Sequence, residues 1–127
     1  MSKPISQTYE IQATPAEVFE ALTNADVIQK WSGAPARIDA QPGTEFVLFG
    51  DNIVGKNIEV VPNKKLVQDW AEKSWDTRSK VTFTLKENNG GTTVDILHEG
   101  VPDAAIEAIS GGWNDYFMAP IQKMFAG

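Results

Sequence analysis

The sequence predicts a single α+β domain in which an antiparallel sheet of five or six strands is covered by a long C-terminal helix. Three observations predict this fold: a length of 127 residues, a central stretch where apolar and polar residues alternate, and a final stretch with apolar residues at helical spacing. A chain of this length buries roughly two-thirds of the surface that its unfolded form exposes. We therefore expect residues 1–127 to form one domain around one hydrophobic core.

The N-terminal part of the chain predicts one strand followed by two short helices. In the segment SQTYEIQATPAEVFEALTNADVIQKW, alternation of apolar and polar residues gives way to helical spacing. Thr14, Pro15 and Glu17 have the arrangement of a capping box with a proline at the first helical position. The sequence TNAD then breaks this helix, and one of its cap-forming residues begins a second helix that ends near Trp31.

The stretch 35–100 predicts the strands of the sheet. Turn sequences divide this stretch, namely PG at 42–43, GDN at 50–52, PN at 62–63 and NGG at 89–91. Alternation places three sets of side chains on one face: Leu66, Gln68 and Trp70; Val81, Phe83 and Leu85; Val94, Ile96 and His98. Because this face is mostly apolar and the opposite face is polar, another element must cover it.

The C-terminal stretch predicts the covering helix. It begins near Pro102, with Asp103 at the positive end of the helix dipole. Large apolar residues fall within one stripe of the helix: Ile106, Ile109, Trp113, Phe117, Pro120, Ile121 and Met124. We expect this stripe to lie on the sheet.

Gly111, Gly112 and Pro120 weaken this helix, since glycine and proline are the least favourable residues in a helix interior. Pro120 cannot donate a hydrogen bond to the carbonyl oxygen of Tyr116, which predicts a bend or partial break there. The two glycines fall on the side away from the stripe. Either the helix bends and flexes over a space between it and the sheet, or tertiary packing simply outweighs the poor propensity of these residues.

Composition excludes several classes of function. Seventeen acidic residues against eleven basic ones give a net charge of -6, which is unfavourable for binding nucleic acid. The chain has no cysteine and one histidine, so we predict no metal site, and a reducing, cytoplasmic location. It contains no phosphate-binding or dinucleotide glycine motif, so we predict no cofactor. Its apolar runs are only a few residues long, which argues against membrane insertion.

Mostly aromatic residues converge between the predicted sheet and helix. The candidates for lining a cavity there are Trp31, Phe46, Gln68, Trp70, Phe83, His98, Trp113 and Phe117. These side chains either fill the core or line a partly hollow interior of the kind that binds small apolar molecules, and spacing alone does not distinguish the two. A lone inward histidine is usually a neutral, hydrogen-bonded core residue, but His98 is also the only candidate general base.

Six basic residues are concentrated between positions 51 and 80, namely Lys56, Lys64, Lys65, Lys73, Arg78 and Lys80. In an acidic chain this concentration predicts either solvated strand ends and turns or a docking surface for an acidic partner.

Three stretches resemble the family of activator of heat-shock protein 90 ATPase homologues: IQATPAEVFEALTNADVIQKW, VPNKKLVQDWAEKSW and EGVPDAAIEAISGGWNDYFMAPIQKMFAG. That family belongs to the START-like superfamily, which shares the helix-grip fold. The resemblance extends over nearly the whole chain. It implies a curved sheet of about six strands, two short helices after the first strand, and a long C-terminal helix across the concave face. It also implies that the space between helix and sheet forms a ligand cavity.

Three hypotheses about function follow. The leading one is a non-catalytic domain that binds a small hydrophobic or amphipathic molecule between the long helix and the sheet. The alternative is a co-chaperone-like module of the stress response that binds and modulates a heat-shock protein 90 type chaperone. The third, implied by enzymes of the superfamily, is a weak cyclase or hydrolase that uses His98.

Overall fold

The computed structural model describes residues 4–126 and confirms the predicted α+β class. The elements are β1 (Ile5–Ile11), α1 (Pro15–Thr23), α2 (Ala25–Ser32), β2 (Glu45–Leu48), β3 (Ile53–Val61), β4 (Lys65–Glu72), β5 (Ser79–Asn88), β6 (Gly91–Glu99), α3 (Ile106–Gly112), a π-helical segment (Trp113–Met118) and α4 (Ala119–Ala126). A single 3-10 turn, Asp103–Ala105, precedes α3. No helix in the described part of the chain is long and apolar enough to cross a membrane.

The six strands form one antiparallel sheet in the order β1-β6-β5-β4-β3-β2. Strands β2 to β6 are a meander, as predicted, and β1 returns to pair with β6. The predicted face assignments are correct, since Leu66, Phe83 and Ile96 are buried in the core. The core lies between this face of the sheet and the helices.

The two short helices begin and end as the capping signals predict. The Thr14 hydroxyl accepts a hydrogen bond from the Glu17 amide at 3.2 Å, and the Glu17 carboxylate accepts one from the Thr14 amide at 3.1 Å. The Asn24 side chain caps α2 by accepting from the Asp26 amide at 2.9 Å. Trp31 donates from its indole Nε1 to the carbonyl oxygen of Ala21 at 2.8 Å, which fixes α2 against α1.

The C-terminal helix changes its hydrogen-bond register in the middle. The Trp113 amide donates to the carbonyl oxygen of Ile109, four residues earlier, whereas the Ala119 amide donates to that of Asn114, five residues earlier. Helix α4 begins at Ala119, immediately before Pro120, which has no amide hydrogen to donate. The interruption predicted at Pro120 is therefore a π-helical segment, a rare structure that often occurs at functional sites.

The structure of this helix corrects two details of the prediction. The predicted stripe omitted Met118, which is fully buried, because α-helical spacing places residue 118 away from Trp113. Bonding over five residues instead of four rotates Met118 towards the core side. Gly112, predicted on the outer side, is half-buried beside the helix–sheet interface, and its backbone is helical with φ -65° and ψ -34°.

Candidate functional site

An open groove of about 610 Å³ lies between the C-terminal helix and the adjoining ends of β3 and β4. We call it the aromatic groove. Its walls are mostly apolar, formed by Phe49, Ile53, Trp70, Ala108, Ile109, Gly112, Trp113, Tyr116 and Phe117. Its polar lining is Asn52, Glu72, Lys73 and Ser74. The volume and the mixture of apolar walls with a few polar groups are typical of sites for small molecules.

Phe49 forms one wall of the groove from an unusual backbone conformation. Its φ of 54° lies in the left-handed region, which non-glycine residues seldom adopt. The ring centroid lies 5.4 Å from that of Phe117 and 6.3 Å from that of Trp31, both in edge-on geometry. Sequence reasoning missed Phe49 because it belongs to a turn, and the available signal was an aromatic residue directly before the GDN turn.

Trp113 separates the groove from the core. It is the first residue of the π-helical segment, and its side chain is only 1% exposed. Its ring centroid lies 5.5 Å from Trp70, 5.6 Å from Phe83 and 4.7 Å from Phe117. One indole therefore forms part of the groove wall and also completes the aromatic core.

A chain of buried hydrogen bonds fixes this indole. Trp113 donates from Nε1 to Nδ1 of His98 at 3.1 Å, and Nε2 of His98 lies 2.6 Å from the Ser79 hydroxyl, which donates to the carbonyl oxygen of Trp70. Because an indole nitrogen can only donate, Nδ1 accepts and the proton of the neutral imidazole lies on Nε2. Both ring nitrogens are thus engaged, so His98 has none free to act as a general base.

Burial lowers the pKa of His98 from its ordinary value of 6.5 to about 4. The side chain is fully buried, and a proton added at Nδ1 would face the indole N–H of Trp113. The folded protein therefore favours the neutral ring. The unfolded chain binds a proton near pH 6.5, so stability is lost as the pH falls from 6.5 towards 4.

We expect the free energy of unfolding to fall by about 2 kcal/mol between pH 7 and pH 5, because only the unfolded chain protonates His98 in that interval. Urea unfolding at several pH values measures this slope. A His98→Gln variant, whatever its absolute stability, is expected to lose the slope. Proton NMR of the single histidine of the chain gives an independent check, and a ring that titrates near pH 6.5 in the folded protein contradicts the assignment.

The eight predicted cavity residues do not all lie on the groove. Trp70, Trp113 and Phe117 line it. The other five are buried elsewhere in the interior: Trp31 and Phe46, Gln68 beside Asn57, and Phe83 and His98 beneath Trp113. Which residues contact a ligand stays a prediction. The groove residues outside the predicted set come from turns, from the adjoining ends of β3 and β4, from α3 and from the π-helical segment.

The six basic residues are interleaved with acidic ones. Three form ion pairs: Lys65 with Glu59 at 3.7 Å, Lys73 with Asp51 at 2.8 Å, and Arg78 with Asp69 at 2.9 Å. The strand register gives a row of alternating charge across the outer face, in the order Glu45, Lys56, Asp69, Lys80 and Glu99. The predicted basic surface is therefore a mixed one, and its role in docking stays a prediction.

Comparison with known proteins gives a consistent set of similarities. A family model described as activator of Hsp90 ATPase homolog 1-like protein matches residues 12–126. The chain is 34% identical over 123 residues to an uncharacterised protein of Schizosaccharomyces pombe. This alignment covers 95% of this chain and 37% of that protein. It is 29% identical over 114 residues to the human activator of 90 kDa heat shock protein ATPase homolog 1. This second alignment covers 88% of this chain and 34% of that protein. The chain thus spans about a third of the length of these relatives.

Solved structures share the fold. A crystal structure of an HSP90 activator from Plasmodium falciparum superposes with a TM-score of 0.91 at 25% identity, over 97% of this chain and 96% of that one. The solution structure of the Aha1 dimer from Colwellia psychrerythraea has a TM-score of 0.82 at 19% identity, over 99% of this chain and 98% of that one, and supports the fold alone. The predicted helix-grip architecture is confirmed.

Proposed function

The chain belongs to the family of activator of Hsp90 ATPase homolog 1-like proteins, and we propose that it is a non-catalytic domain that binds a small hydrophobic or amphipathic molecule in the aromatic groove. The observation that carries this proposal is the groove itself, about 610 Å³ of mostly apolar space beside a π-helical segment. A cytoplasmic location stays a prediction.

Two features of the groove support binding. Tyr116, on the π-helical segment, lines the groove while 66% of its surface is exposed, so an apolar ligand would remove this surface from water. The polar groups Asn52, Glu72, Lys73 and Ser74 provide hydrogen-bonding partners that can orient a bound molecule.

The test is a panel of fatty acids, sterols and flavonoids. Binding of each compound is detected by changes in tryptophan emission and in the melting temperature. Trp70 and Trp113 line the groove, so a bound molecule is expected to change their emission. A ligand at a hundredfold excess over its Kd stabilises the folded state by about 2.7 kcal/mol. A panel that changes neither emission nor melting temperature contradicts the proposal.

Tyr116→Ala is expected to weaken binding about five- to tenfold, because it removes an exposed aromatic wall of the groove. Ile58→Ala is the matched control. Ile58 is another exposed apolar side chain, located at an irregularity in β3 away from the groove lining. Equal effects of the two substitutions would place the ligand outside the groove.

A second candidate function is docking on a heat-shock protein 90 type chaperone. The human relative and the Plasmodium falciparum protein of the same fold are both named as activators of that chaperone. The row of alternating charge on the outer face presents both positive and negative side chains, with which charged groups of a partner can pair.

Two measurements with a purified heat-shock protein 90 type chaperone test this second function: binding of the chain to the chaperone, and the ATPase rate of the chaperone with and without the chain. We expect binding that weakens with added salt, and a further loss when Lys56 and Lys80 are both replaced by glutamine. Lys86→Gln is the control, since Lys86 is an exposed lysine of β5 outside the alternating row. Absence of binding at low salt, with no change in ATPase rate, counts against a chaperone role.

A further inference from the structure

We propose that the aromatic groove selects amphipathic molecules with a positively charged head group, and that the carboxylate of Glu72 is their counterion. This inference rests on the ligand-binding function proposed above and names the chemical class of the ligand. It is carried by the position of Glu72, by the pairing of the neighbouring lysine, and by the aromatic walls.

Glu72 stands where the apolar wall of the groove meets its polar rim. It is the last residue of β4 and the next position after Trp70 on the same face of that strand. In the register of the sheet it lies opposite Ile53, and all three residues line the groove. The side chain is half-buried and takes part in none of the ion pairs formed within residues 4–126.

The lysine beside it does not balance this charge. Lys73 is the one cationic residue in the described lining of the groove, and its Nζ lies 2.8 Å from Oδ2 of Asp51. The hydrogen bond between them lowers the pKa of Asp51 and raises that of Lys73, so both stay charged. Asp51, Glu72 and Lys73 together leave one negative charge at the rim, and the chain as a whole has the same sign with -6.

The aromatic walls favour the same sign of ligand charge. The faces of aromatic rings are electron-rich and attract cations, most strongly in tryptophan. Trp70, Trp113 and Tyr116 line the same groove as Glu72, and Tyr116, with 66% of its surface exposed, provides most of the aromatic surface that a ligand can reach. An alkyl or aryl tail fits the apolar walls, while a cationic head group meets a carboxylate and the exposed ring of Tyr116. An anionic head group would meet a carboxylate and a lysine that is already paired.

The probes are decylammonium, decanoate and 1-decanol, which share one alkyl chain and differ in charge. Binding to the full chain is measured at pH 7.5 and low salt, by tryptophan emission and calorimetry, below the concentration at which the probes aggregate. We expect decylammonium to bind about tenfold more tightly than decanoate, with 1-decanol between them. The ratio is expected to shrink at high salt, because the charges lie at an open rim.

Glu72→Gln is expected to reduce the ratio to about one. Glu87→Gln is the matched control, because it changes the net charge of the chain by the same amount. Glu87 is exposed and lies near the C-terminal end of β5, whereas the start of β5 pairs with β4 near Glu72. We expect this control to leave the ratio unchanged. Lys73→Met, which releases Asp51, is expected to raise the ratio several-fold. Circular dichroism and thermal unfolding of each variant confirm that it is folded.

The outcomes separate this inference from the function on which it rests. If the three probes bind equally, or decanoate binds most tightly, the charge selection is wrong and the ligand-binding function stands. If Glu72→Gln and Glu87→Gln reduce the ratio alike, the selection comes from the net charge of the chain, and the role of Glu72 is overturned. If the folded protein binds none of the three probes, the charge selection fails, and the panel of fatty acids, sterols and flavonoids decides the ligand-binding function separately.

Discussion

Replacing Trp113 by alanine is expected to lower the free energy of unfolding by about 3–5 kcal/mol, the range measured for large aromatic residues in protein cores. The indole is almost fully buried and packs on the rings of Trp70, Phe83 and Phe117. Its loss also leaves Nδ1 of His98 without a donor in the interior. Urea unfolding followed by circular dichroism measures the change without depending on tryptophan emission.

Two further variants divide this effect into its parts. Trp113→Phe keeps an aromatic ring but removes the hydrogen bond, and we expect a smaller loss of about 1–3 kcal/mol. Trp75→Ala is the control, because Trp75 is half-buried and packs on Trp70 at a centroid distance of 5.8 Å. Similar losses for Trp113→Ala and Trp75→Ala would show that Trp113 does not complete the core.

Replacing Gly55 by alanine is expected to destabilise the fold by about 3 kcal/mol or more, because the added methyl group has no space. Its Cβ would overlap the carbonyl oxygen of Asp69 and would lie 2.5 Å from Cζ of Phe46. Gly55 lies opposite both Phe46 and Trp70 in the sheet, so an aromatic ring covers the glycine. The first contact is with backbone of the neighbouring strand, which cannot move without disturbing the hydrogen bonds between β3 and β4.

Gly111→Ala is the control for this prediction. A Cβ at Gly111 meets no atom within 4 Å, and the residue lies in α3, so we expect stabilisation by about 0.5–1 kcal/mol. Adding Phe46→Leu to Gly55→Ala is expected to recover only part of the loss, since the contact with Asp69 remains. Chemical denaturation of the four proteins gives all of these values, and a Gly55→Ala protein as stable as the parent would contradict the packing.

The elements of this fold were predictable because their signals are local. The turn sequences mark where strands end, and alternation of apolar residues specifies which side chains face the core. Thr14 and Glu17 identify the start of α1, since a capping box uses only residues three positions apart. The inward direction of His98 was also predictable from its position on β6, two residues after Ile96.

The partners of these residues were not predictable, because they come from distant parts of the chain. Ser79 and Trp113 approach His98 from β5 and from the C-terminal helix. The left-handed backbone of Phe49 contradicts its local preference, and its ring packs against rings from α2 and the π-helical segment. The pairing of Lys73 with Asp51, which leaves Glu72 as the unbalanced charge, likewise joins residues 22 positions apart.

The sequence by itself determined that a helix covers the sheet, because the apolar residues from Ile106 to Met124 recur at helical spacing and the inner face of the sheet needs a cover. The tertiary structure alone decided the register of that helix and the shape of the groove beside it. Hydrogen bonding over five residues is locally unfavourable. It persists because it buries Trp113, Phe117 and Met118 together, and because the π-helical segment ends just before Pro120. That balance depends on contacts with other elements, which a local pattern does not contain.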